Sequence, residues 1–176
     1  DKTLWSGWAI QGPKDRVYYS GDTAMFPELE EIGTRLGPFD ATMIETGAYN
    51  PLWVDVHMGP EQAIVAHELV RGKLFIPVHW GTFDLAVHNW TEPVERLLAA
   101  AEQAGVAVAV PRPGQSVDPS APPTLSRWWP QVPWQTASQT PVLSTGLSET
   151  LQARIRAFVA PTPLDKPGSK SLRSQR

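Results

Sequence analysis

The chain has 176 residues, 41% of them hydrophobic and 19% charged, with a net charge of -3 and no cysteine, enough to bury a real core in a single domain. Without cysteine there are no disulfides, no thiolate metal site and no cysteine nucleophile, so any metal falls to His, Asp and Glu. The basic residues are scattered except at the very end, which excludes a nucleic-acid footprint, and no apolar run approaches the roughly 18 to 20 residues that cross a bilayer.

From the amino end, Leu4-Trp5-Ser6-Gly7-Trp8-Ala9-Ile10 alternates large and small residues, Gln11 to Asp15 is a turn, and Arg16 to Ser20 is a second strand, together predicting a β-hairpin. Gly21-Asp22-Thr23 leaves that strand with the carboxylate free to point away from the sheet. Pro27 to Leu36 predicts a helix, with Leu29, Ile32 and Leu36 at helical spacing, acids near its amino end where the dipole favours them, and Gly37-Pro38 to stop it. Ala41 to Ile44 is a short buried strand, and a long loop from Glu45 carries His57 at its far end. Pro60, suited to a first helical position, opens a helix to Val70. Lys73 to Val78 is a strand that ends in His79-Trp80-Gly81, Glu92 to Gln103 a helix, and Val106 to Val110 a last strand. Helices alternating with strands predict an α/β layered fold.

Beyond about Pro111 the character changes. Residues 114–146, rich in proline and carrying Trp128, Trp129 and Trp134, are too broken for regular elements and read as an extended arm. Its tryptophans could anchor at a lipid interface, although packing on their own domain or on a partner is the simpler account. Leu151, Ile155 and Phe158 predict a short helix within 147–160, and the polar, basic residues 161–176 read as a disordered tail.

Asp22, His57 and His79 lie at successive element ends, where open α/β sheets place their ligand crevice, and form one candidate site. Each also has a plainer reading. Asp22 could be a turn former, His57 a helix cap, and His79 a buried imidazole held by a carbonyl. His67 falls at helical spacing with apolar neighbours and reads as packing; His88 reads as a surface loop residue.

Taken together, Gly21-Asp22-Thr23, Glu30-Glu31-Ile32-Gly33, Gly37-Pro38-Phe39-Asp40, Gly47-Ala48-Tyr49, Val56-His57-Met58 and His79-Trp80-Gly81-Thr82-Phe83 resemble the metallo-β-lactamase superfamily, in particular its N-acylphosphatidylethanolamine-hydrolysing phospholipase D type and bacterial relatives. The resemblance implies the carboxy-terminal half of an αββα sandwich over residues 1–113, followed by the Pro-rich extension. It implies a centre of two zinc ions per complete domain, in which Asp22 bridges both metals and His79 is a terminal ligand of one. His57 would line the site and contact the substrate, making Asp22 and His57 the catalytic pair, with Tyr49 beside His57 in substrate binding. The implied reaction is phosphodiester hydrolysis on a small molecule or a phospholipid.

Two departures stand out. The superfamily's His-x-His-x-Asp-His cluster has no counterpart here, and the chain begins at Asp1 rather than Met. The expectation is therefore a fragment, weak in metal binding, with a sheet face lacking its partner layer. Ile44-Glu45-Thr46 also places an extra acid near the pocket, which counts against phospholipid. A cytoplasmic protein is expected, with peripheral membrane contact and a homodimer as further expectations. The competing expectation is a metal-free structural or interaction module that uses the Pro and Trp arm.

Overall fold

The computed structural model describes residues 5–160. The tail expected at 161–176 lies outside the described residues. The elements, in chain order, are β1 (Trp8–Gln11), β2 (Arg16–Tyr19), α1 (Leu29–Leu36), β3 (Phe39–Glu45), α2 (Pro60–Leu69), β4 (Gly72–Val78), α3 (Glu92–Ala104), β5 (Ala107–Val108) and α4 (Glu149–Val159). They form one five-stranded sheet in the order β1-β2-β3-β4-β5. β1 and β2 are an antiparallel hairpin, and β2 to β5 run parallel. The first strand is shorter than its alternating pattern, starting at Trp8, and the last is cut to two residues. β3 runs one residue further than its apolar stretch, so Glu45 ends a strand instead of opening a loop.

Consecutive strands joined by right-handed helical crossovers place every crossover helix on the same side of the sheet. Accordingly Leu29, Ile64, Phe75, Leu97, Leu151 and Ile155 share one core. α2 is the middle of that layer, buried without interruption from Pro60 to His67. α1, α3 and α4 pack against it, which is why its buried residues, Glu61, Gln62 and His67 among them, lie all round it rather than along one stripe.

The opposite face carries Ala41, Leu74 and Ala109 with Val17 and Ile76 beside them, and Val117 from the arm packs on it. By register Trp8 and Ile10 share this face, at 61% and 53% exposure. Among the described residues no second sheet covers it.

Residues 109–147 contain no helix or strand, in keeping with their prolines, but they are packed down. Trp129 is buried against Val94 and Val110, and Trp80, Trp128 and Trp129 meet with ring centroids 5.5–5.6 Å apart. Further along, Ser144 Oγ donates to the Val54 carbonyl, and Asp55 accepts the Thr145 N–H at 2.7 Å. The extension thereby clasps the loop that holds His57. No helix among the described residues is long and apolar enough to cross a membrane.

Candidate metal centre

Three neighbouring parallel strands end side by side, and each end delivers one polar side chain. β2 is followed by Gly21, whose φ of 62° turns the chain so that Asp22 projects from the sheet edge. A side chain at 21 would meet the Ser6 carbonyl at 2.6 Å, so glycine is required there. β3 ends in Glu45, whose backbone N–H donates to Ser20 Oγ at 3.0 Å and ties the two strand ends together. β4 is followed by His79 at a φ of 61°, a left-handed conformation that costs a non-glycine residue free energy and recurs at functional sites. His57 arrives from the loop before α2.

The geometry draws these groups together. The His57 and His79 rings stack at 4.8 Å between centroids. His79 Nε2 lies 3.6 Å from Asp22 Oδ2. Glu45 sits beneath with a side chain entirely hidden from solvent. Its Oε1 accepts the backbone N–H groups of Thr23 at 2.9 Å and Met58 at 3.2 Å, while its Oε2 lies 2.8 Å from His57 Nδ1 and 3.7 Å from His79 Nδ1. Burial pushes the Glu45 carboxyl up, against the pull of the His57 hydrogen bond. That same bond is the main cause holding the His57 imidazole above its ordinary value.

Do these residues suit a metal? Two observations say so. His79 Nδ1 is buried with no hydrogen-bond partner, so this imidazole is not held as a core histidine would be. The 3.6 Å between Asp22 Oδ2 and His79 Nε2 is too long for a hydrogen bond, but ligands about 2.0–2.2 Å from one tetrahedral ion stand about 3.3–3.6 Å apart. Glu45, His57 and His79 also offer donor atoms within 4.8 Å of one another.

The other sequence candidates lie apart from this group. Tyr49 is buried at 3% exposure and donates its hydroxyl to Glu92 Oε1 at 2.8 Å. Its ring stacks on His88 at 4.2 Å, with the Arg96 guanidinium over it at 5.0 Å. Tyr49 therefore anchors its loop and turns no polar atom toward Asp22. His88 is not a loose surface residue: its Nε2 accepts the Ala48 N–H at 3.0 Å, and burial pulls its pKa down. His67 is buried in α2, with Nδ1 2.7 Å from Thr42 Oγ1, as packing predicted. Glu45 is the residue the sequence undervalued. Its signal was an acid one position past an apolar strand, in line with Asp22 and His79.

Residues 1–80 match the family described as beta-lactamase superfamily domain. An uncharacterized protein of Mycobacterium tuberculosis is 54% identical over 130 residues, which cover 72% of this chain and 35% of that protein. The N-acyl-phosphatidylethanolamine-hydrolyzing phospholipase D 1 of Caenorhabditis elegans is 42% identical over 98 residues, covering 53% of this chain and 28% of the enzyme. Thus the chain spans about a third of the length of these relatives. Among solved structures, Igni18, a metallo hydrolase from Ignicoccus hospitalis, is similar with a TM-score of 0.52 and 29% identity, covering 66% of this chain and 46% of that one. Residues 1–80 thus carry the match to the β-lactamase superfamily, and the α/β architecture is that of the metallo-β-lactamase fold.

Proposed function

We propose that this chain supplies the carboxy-terminal half of a zinc-dependent phosphodiesterase, with Asp22 and His79 as metal ligands and His57 facing the substrate. The observation that carries the proposal is the Asp22–His79 pair, spaced for a shared cation at the ends of β2 and β4, the parallel strands on either side of β3. Two ligands fall short of the three protein donors a catalytic zinc takes, so the rest would come from a part of the protein that this chain does not span. Zinc bound there would supply positive charge for a phosphoryl oxygen and lower the pKa of a water to roughly 7.

The chain's own residues contribute the following. His57, with Nδ1 committed to Glu45, has Nε2 left for a phosphoryl or leaving-group oxygen, and its raised pKa favours the imidazolium that can donate there. The loop after His79 adds a cavity of about 250 Å³ walled by Trp80, Phe83, Leu85 and Trp90, which supports a substrate with an apolar group beside its phosphate. A phospholipid is one such substrate. The acid at 45 is no obstacle to it, because that side chain is fully hidden and its oxygens are occupied. In the longer protein, metal analysis should find about two zinc ions per chain. Asp22→Ala should abolish their joint occupancy together with hydrolysis of bis(p-nitrophenyl) phosphate. Full zinc occupancy in the variant would overturn the bridging role, and unfolding that ignores both chelator and zinc would favour a metal-free module.

A further inference from the structure

Glu45 touches both imidazoles of the site but presents no open oxygen to the cleft. We propose that it is the site's positioning residue, fixing the proton of His57 on Nδ1, so that His57 Nε2 faces outward as the working nitrogen. The inference rests on the proposed assignment of Asp22, His57 and His79 to one site, and it adds a residue that none of the motifs names.

The argument is one of donors and acceptors. While Glu45 is ionised it can only accept, so the imidazole nitrogen 2.8 Å from its Oε2 then carries the hydrogen. The carboxylate cannot turn to relax this demand, because Oε1 is held by two backbone N–H groups whose positions are set by the end of β2 and the start of α2. It lies at the end of β3, flanked by the strand ends that deliver Asp22 and His79, and both its oxygens are enclosed. His79 Nδ1, 3.7 Å from Oε2, lies beyond hydrogen-bond reach, so the carboxylate is committed to His57. With Nδ1 protonated, the neutral His57 ring keeps its lone pair on Nε2, the atom that takes up the second proton when the ring becomes the donor of the proposed reaction. A carboxylate hydrogen-bonded behind an imidazole fixes the ring's tautomer and orientation and raises its basicity.

Glutamine at 45 separates this role from simple filling of space. The two backbone donors require an oxygen at the Oε1 position, so the amide NH2 of E45Q must occupy the Oε2 position and donate toward His57 Nδ1. The variant keeps the shape and inverts the tautomer. The experiment is long-range nitrogen–proton NMR of the 176-residue chain, labelled at histidine, without metal and at a pH where the imidazoles are neutral. The wild type should show Nδ1–H at His57, and E45Q should move His57 to Nε2–H with the amide spectrum elsewhere unchanged. A wild-type His57 in the Nε2–H form, or an E45Q that keeps Nδ1–H, would overturn the proposal. If E45Q does not fold, the wild-type spectrum decides alone, since an imidazole free in water favours Nε2–H. No zinc enters this measurement, so its failure leaves the metal assignment standing, and the Asp22→Ala occupancy test is independent of it.

Discussion

A methyl group on residue 47 would collide with the backbone carbonyl of His79, and the neighbouring backbone of Trp80 leaves it no other direction. Gly47 thus lets the loop after β3 lie directly on the turn that presents His79, while Tyr49, two residues on, pins that loop through its hydroxyl to Glu92. Gly47→Ala should therefore push the His79 turn outward and destabilise the fold by about 1–3 kcal/mol, the usual cost of overpacking. Chemical denaturation checks the loss, and a change in the His79 ring resonances checks its location. At this scale the sequence disclosed Asp22, His57 and His79, because each sits at a punctuation mark between elements. It did not disclose Glu45 as their common contact. That role depends on 22 residues of chain folding back so that the Thr23 N–H reaches the carboxylate.

Among the elements, α2 shows how a histidine of the same intrinsic chemistry is put to another use. His67, at 3% exposure, lies near Phe75 and within hydrogen-bond distance of Thr42 on β3, and burial pulls its pKa down to about 4. The unfolded chain binds a proton at this residue near its ordinary 6.5 while the folded chain resists until about 4. Between those values the unfolded state holds more protons, so stability falls as the pH falls. The contribution amounts to roughly 3 kcal/mol at about 1.4 kcal/mol per pH unit. Urea unfolding from pH 7 to 4 should show this decline, and His67→Gln should flatten it; an unchanged slope would show that His67 is not its source. Nearby, α2 and α3 are locked by Arg96, whose guanidinium, 1% exposed, pairs with Glu61 at 2.7 Å and reaches Glu92 at 3.4 Å. The helices and strands themselves were legible, since period and capping are local properties. The ends of β3 and β5 were not, because hydrogen bonding to neighbouring strands decides where a strand stops.

For the whole molecule, the helices of the described residues cover one side of the sheet, and the carboxy-terminal extension completes that side. Ser148 caps α4 by accepting the Leu151 N–H, and Leu151 and Ile155 enter the main core beside α2. Ile155, fully buried, should cost about 2–5 kcal/mol when cut back to alanine. A loss of that size in a single cooperative transition would show that α4 folds with the domain, and a separate early transition would show that it does not.

Composition and spacing alone determined the alternating α/β order, the absence of thiol chemistry, the core histidine in α2 and the amphipathic helix at the end. These follow from periodicities within a few residues of each position. Tertiary structure decided that the strands run β1 to β5 in sequence with their helices on one face, that the arm clasps the His57 loop, and that a hidden carboxylate stands behind two imidazoles. The reason is physical: desolvation and hydrogen-bond pairing at Glu45 arise only when segments far apart in the chain close around it, and no local pattern of residues encodes that enclosure.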